Sequence, residues 1–348
     1  MKMIVSKIIP SVVAVLTLLS IPHISQAQSI SMSYVTVGNP NNAADPATGS
    51  LYGSVSYAYN IGEYDVTDSQ YCTFLNAVDP TGANTLGLYD SSATDAEYGV
   101  ILNSAASNGS KYSVISGYAS MPVVDVDYWD TLRFANWMNN GEGNASTETG
   151  AYTLLGGTPT PTNSSSLLAN PQHNSGATVW LPSENEWYKA AYFNPTNGTY
   201  STYATQSNTA PGNIIGNGSN EANYVSPING SFSVTQSPII NPNQNYLTAV
   251  GSFTSSASYY GTYDQSGDVY NWEATTVSSQ YPVLRGAYWN NDNTYAMSSS
   301  GRYNSVATVP SEYFGFRVAS AAVPEPSTWV MIAAGVGTLG AFRRRRRL

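Results

Sequence analysis

The chain has 348 residues, of which only 10% are charged, and its formal net charge is −9. Lys2 and Lys7 lie at one end and Arg343 to Arg347 at the other. Between them only Lys111, Arg133, Lys189, Arg285, Arg302 and Arg317 stand against every carboxylate but Glu325. So acidic a body repels a polyanion, which excludes nucleic acid as a partner, and 27 Tyr with 29 Gly suit a loop-rich exported fold better than a cytosolic enzyme.

Residues 1–27 read as a secretory signal to be removed by signal peptidase. Lys2 and Lys7 form the basic start, Ile8 to Leu19 the apolar run, and Ser25-Gln26-Ala27 the small-x-small cleavage site. The apolar run falls short of the roughly 20 residues that a permanent span needs. Short alternating runs at Ser31–Val37 and Leu51–Tyr59, broken by Asn-Pro and Asp-Pro, predict strands. Thr67 followed by Gln70 is a capping box, and Tyr71, Phe74, Leu75 and Val78 form one helical face that Pro80 ends. The single cysteine, Cys72, lies in this helix, reads as a small core side chain and leaves no internal disulfide or CxxC metal site.

Residues 79–120 are polar and Gly/Ser-rich and read as surface loops with room for one short helix. A short strand at Met121–Val126 leads to Asp127, which caps a second helix over Tyr128–Asn139 with Trp129, Leu132 and Ala135 inward. Residues 141–176 again read as loop. Val179 to Phe193 then condenses strand, turn and helix into one stretch. Three apolar residues run into Pro182, Ser183 and Glu186 form another capping box, and Trp187, Ala190 and Ala191 make the apolar stripe. Long Asn/Gly/Pro-rich connections follow, with β-like pieces at Phe232–Val234 and Tyr246–Phe253. Ser266–Trp272, Val283–Trp289 and Phe314–Val318 each read as a strand of an antiparallel sheet. After residue 320 the chain changes character: Val323-Pro324-Glu325-Pro326, an apolar stretch from Trp329 to Phe342 and five arginines. As a helix that stretch spans roughly 21 Å against a hydrocarbon core of about 30 Å, which suits a transient anchor with its arginines held on the cytoplasmic side.

The tail resembles a PEP-CTERM sorting signal. The resemblance implies a bacterial protein exported by its signal peptide and held briefly at the inner membrane. An exosortase then cleaves near Val323, Pro324, Glu325 and Pro326 and delivers it to the cell surface or an exopolysaccharide matrix. The body resembles the formylglycine-generating enzyme, or sulfatase-modifying factor, family through six motifs in order. They are Ile61–Tyr71; Met121–Val126 with Trp129-Asp130 and Phe134–Trp137; Leu181–Ala191; Gly267–Trp272; Leu284–Trp289; and Gly315-Phe316-Arg317. The expected fold is α+β: a single C-type-lectin-like domain over residues 28–320, with short twisted antiparallel sheets, about three helices and long irregular loops.

Family enzymes hold copper between two cysteines placed after the Arg-Gly motif, because thiolates suit Cu(I). The matching segment here, Asn290 to Arg302, has no cysteine. Relatives with an iron centre use several histidines, and His173 is the only one outside the signal peptide. No copper or iron is therefore expected. The domain reads as a non-catalytic binding scaffold, with an oxygenase of non-standard metal site as the alternative. The resemblance also implies a structural calcium near Asn223, Tyr224, Gly267, Asp268 and Val269, with Asp268 in place of the family's Asn. The ligand-binding candidates are Tyr288, Asn290, Asn291, Asp292 and Tyr295, an aromatic and amide-rich stretch suited to an exopolysaccharide or another surface component; Trp289 among them reads as core. Asp264, Asp268, Glu273 and Asp292 are loop carboxylates that could cluster near the final sheet.

Overall fold

In the computed structural model, residues 29–322 are described. The expected signal peptide over residues 1–27 and the sorting segment, with its expected membrane helix at Trp329–Phe342, lie outside the described residues.

Strand β1 (Tyr34–Val37) pairs antiparallel with β2 (Tyr59–Gly62), so the Leu51–Tyr59 run enters the sheet only at its last residue. Helix α1 (Asp68–Val78) starts at Thr67, whose hydroxyl accepts from Gln70 N while the Gln70 side chain accepts from Thr67 N. The stretch read as loop then holds a two-stranded ribbon, β3 (Val100–Leu102) and β4 (Tyr112–Val114). Helix α2 (Tyr128–Asn139) is capped by Asp127, and Asp130 closes its box. The six-residue helix α3 (Ser164–Ala169), without a side-chain cap, is a fourth helix that the polar Ser run concealed. The two-residue strand β5 (Val179–Trp180) precedes α4 (Glu184–Tyr192), and a second ribbon follows, β6 (Phe193–Asn194) with β7 (Thr199–Tyr200).

The long connection to residue 269 forms isolated bridges but no named strand, against the expectation at Phe232–Val234 and Tyr246–Phe253. Its side chains take the backbone partners that a ladder would use: Asn213 Nδ2 donates to Ser231 O and Ser233 Oγ to Ala222 O. The last sheet is built from β8 (Tyr270–Val277), β9 (Tyr281–Arg285), β10 (Tyr303–Asn304) and β11 (Phe314–Gly315), in the order β10-β9-β8-β11. Its β11 runs parallel to β8, since β11 returns from a long loop and not from a hairpin. Strand β12 (Ala319–Ala321) inserts between β2 and β5, pairing Ala319 with both Ile61 and Trp180. The two ends of the domain are thus stitched into one sheet.

The core is aromatic. Phe134 of α2 meets Phe74 of α1 at 5.3 Å, Trp137 at 5.7 Å and Phe316 at 5.2 Å. Cys72 lies in this core, and burial pushes its thiol up to about 11, so it is not a reactive thiolate. Arg317, at the end of the Gly-Phe-Arg motif, is fully buried and ties four segments together. It donates to Asp65 Oδ1 (2.7 Å), Asn271 Oδ1 (2.7 Å), Gly62 O (3.1 Å) and Tyr263 O (2.9 Å).

Candidate ligand-binding site

The capping box of α4 does more than start a helix. Glu186 Oε2 accepts from Ser183 N and Oγ, which fixes the turn and places Glu184 at the positive end of the helix. There Glu184, buried, accepts four bonds of 2.7–2.9 Å, two from Arg285 and two from Arg302. Arg285 also donates to Ser299 O (3.1 Å) and Gly301 O (2.7 Å), with its guanidinium over the rings of Tyr52 (4.7 Å) and Tyr188 (5.0 Å). Two motifs distant in the chain, Leu181–Ala191 and Leu284–Trp289, therefore meet to pin the segment Ser299–Arg302. Glu273 lies beside them, fully buried, with both carboxyl oxygens unpartnered. Burial first, and then the charge of Glu184, raises its pKa well above the carboxylate range and favours the neutral acid.

The four loop carboxylates do not form one group. Asp264 and Asp268 influence each other, Glu273 belongs with Glu184, and Asp292 is exposed. The five residues tied to calcium do converge, although 45 positions separate Asn223 from Asp268. Asn223 directs an amide N–H to Asp268 Oδ1 at 2.7 Å. Thr248 N reaches the same oxygen at 3.1 Å, and Thr248 Oγ1 reaches Oδ2 at 3.1 Å. Asp268 N donates to Asn223 O, Gly267 takes φ +92° in the turn, and Tyr224 and Val269 pack into the core. Protein donors meet both carboxylate oxygens, and the asparagine offers its N–H to Asp268. As they stand, these residues do not fit a cation, and no step is routed through one.

The stretch Tyr288–Tyr295 divides. Trp289 is core, stacked on Tyr246 at 5.0 Å with its backbone N bonded to Asp268 O. Tyr288 is half-buried against Tyr313 at 4.2 Å. Asn291 O accepts from Val225 N, and Asn291 Oδ1 accepts from Asn293 N, so this asparagine shapes the turn. Asp292 and Tyr295 are exposed, Tyr295 at 60%. Asn290, Trp289 and Tyr313 border a cavity of about 310 Å³ whose far wall is Asp95, Glu97 and Glu312. Sequence reading missed that wall because its residues come from two loops over 200 positions apart. It also missed a larger cavity, about 610 Å³, lined by Tyr57, Tyr152, His173, Trp180 and Glu186 beside Ala322. His173 is stacked on Trp180 there at 4.4 Å.

The model of the sulfatase-modifying factor enzyme 1-like domain matches residues 31–322. The chain belongs to that family. Residues 322–347 match the PEP-CTERM protein-sorting motif. No curated protein matches the chain. Among solved structures it is similar to "Crystal Structure of CarF", at 16% identity and a TM-score of 0.52, covering 84% of this chain and 99% of that one. It is also similar to Treponema denticola variable protein 1, at 18% identity and a TM-score of 0.46, covering 84% and 95% of the two chains. PvdO from Pseudomonas aeruginosa matches at 17% identity and a TM-score of 0.43, covering 84% and 92%. The sulfatase-modifying-factor-like domain thus has the C-type-lectin-like α+β fold of short sheets and small helices. The sorting motif marks an exported protein processed at the membrane by exosortase-type machinery on its way to the cell surface. Among the described residues no helix is long and apolar enough to cross a membrane.

Proposed function

We propose that this exported protein is a non-catalytic binding scaffold that holds a polysaccharide, or a similar hydroxyl-rich surface component, at the face around Tyr288, Asn290 and Tyr313. The observation that carries this reading is the pinned segment after the Arg-Gly motif. The segment from Asn290 to Arg302, which follows that motif as the copper cysteines do in family enzymes, has no cysteine, and Arg285 binds the carbonyls of Ser299 and Gly301 within it. Tyr313 and Asn290 border an open cavity, and Tyr288 packs on Tyr313 at 4.2 Å, a combination of flat apolar area and directed polar groups that suits a sugar ring. The sorting motif supports a matrix or surface setting for such a ligand.

Affinity electrophoresis of the full chain through acidic and neutral polysaccharides tests this. Retardation by at least one class, weakened roughly tenfold or more by Tyr288→Ala or Tyr313→Ala, is the expected result, since aromatic anchors dominate binding energy. Copper or iron bound at one per chain, with turnover on a peptide thiol, would revive the oxygenase reading.

A further inference from the structure

The wall of carboxylates beside Asn290 is electrostatically unexplained. Asp95 and Glu97 lie on the loop before β3, and Glu312 lies on the loop before β11. One oxygen from each falls within 4.8 Å of the others. Asp125 joins them from the turn before α2. Its backbone takes φ +55° and donates to Ser311 O, next to Glu312, which brings its side chain against Asp95. Asp125 is only 8% exposed, and its Oδ2 has no partner; Asp95 Oδ1 has none either. The charges acting most strongly on Asp125 are the carboxylates of Asp95, Asp90 and Glu312.

No basic side chain of the described domain is free to offset this. Arg133 is paired with Glu148, Arg285 and Arg302 with Glu184, and Arg317 with Asp65. Lys111 donates to Ser104 O and Lys189 to Asn39 O. Those six are all the cationic side chains between the two termini. Three carboxylates with converging oxygens, and a fourth carboxyl against Asp95 with a buried oxygen that nothing binds, leave a set of oxygen ligands without a cationic partner.

We propose that Asp95, Glu97, Asp125 and Glu312 bind one divalent hard cation, calcium. Ligands that are all carboxylate oxygens select a hard ion over copper or zinc. Calcium accepts six to eight oxygen ligands in flexible geometry, which irregular loops can supply, whereas magnesium demands a near-ideal octahedron. Glu97 Oε1 also accepts from Tyr246 N at 3.0 Å, and Trp289 stacks on Tyr246. The ion therefore fixes three loops against the aromatic cluster under the cavity. This site is separate from the Asn223–Asp268 pair and does not depend on what the cavity binds.

Terbium luminescence excited through tryptophan, followed by calcium titration of the full chain, tests the site. One saturable calcium per chain is expected, with a dissociation constant of about 10⁻⁴–10⁻³ M, as in extracellular modules. The Asp95→Asn/Glu312→Gln variant should weaken calcium binding at least about tenfold through the lost ligand charge, while Asp268→Asn should keep it. Removing like charges should leave that double variant's melting temperature in EDTA at or above the parent's, and calcium should then stabilise only the parent. No saturable binding at millimolar calcium overturns the proposal, as does binding that survives the double variant or is lost only in Asp268→Asn. A double variant that melts below the parent in EDTA overturns it as well, because its carboxylates would then be serving protein donors.

Discussion

At the scale of single residues, buried charge decides what the family motifs do here. Glu184 holds two guanidinium groups while Arg285 is almost fully buried, so the pair cannot be broken cheaply. Glu184→Gln should cost about 3–5 kcal/mol by leaving Arg285 without a counter-charge. Arg302→Gln should cost under about 1 kcal/mol, because the Arg302 side chain is 27% exposed and screened by water. Urea denaturation of the two variants against the parent measures the difference, and equal costs would refute the asymmetry. The acidic core also sets a pH dependence. Burial pushes Asp65 up to about 6 despite Arg317 beside it, and Asp264 up to about 7. An unfolded Asp titrates near pH 3.9, so between about pH 4 and 7 the folded state binds more protons than the unfolded one. The stability these groups contribute is complete below about pH 4 and is lost as pH rises through 6 and 7. In calcium-free buffer the melting temperature should therefore be higher at pH 5 than at pH 8.

At the scale of elements, the three capped helices were legible in the sequence because a capping box is local chemistry. Thr67 with Gln70, Asp127 with Asp130, and Ser183 with Glu186 each satisfy their own free N–H groups within four residues. Ser183→Ala should cost about 1 kcal/mol, read as a lowered denaturation midpoint with an unchanged slope. The sheet was harder to see. β5 and β11 have two residues each, too few for an alternation to register, and α3 carries no cap. The turn at Gly267 lies between these cases. Its φ of +92° favours glycine, and a Cβ there would strike the Asn223 carbonyl. Gly267→Ala should lose about 1–3 kcal/mol and displace the Asn223–Asp268 pair, visible as lost amide-exchange protection at Asp268.

At the scale of the whole molecule, β12 closes the domain by entering the sheet between β2 and β5, and the sorting motif begins immediately after it. A chain cut before Ala319 should lose cooperative unfolding, whereas one ending at Ala322 should keep it and lose only its sorting; calorimetry and cell fractionation separate the two. Metal analysis of the purified chain should find neither copper nor iron near one per chain, because the segment from Asn290 to Arg302 has no cysteine and His173 is the one histidine after residue 27.

The sequence alone was enough to determine the family, the order of the motifs, the capped helices and the sorting motif, because each rests on neighbours within about ten residues. It also determined that the copper and iron ligands of the enzymes are missing. Only the tertiary structure decided which charges meet. Glu184 finds Arg285 101 positions away, Asn223 spends its amide on Asp268, and Asp95 reaches Asp125 and Glu312 across three loops. Such long-range pairings carry no periodic signal, since the chain brings them together only when hydrophobic burial elsewhere has fixed the elements that bear them.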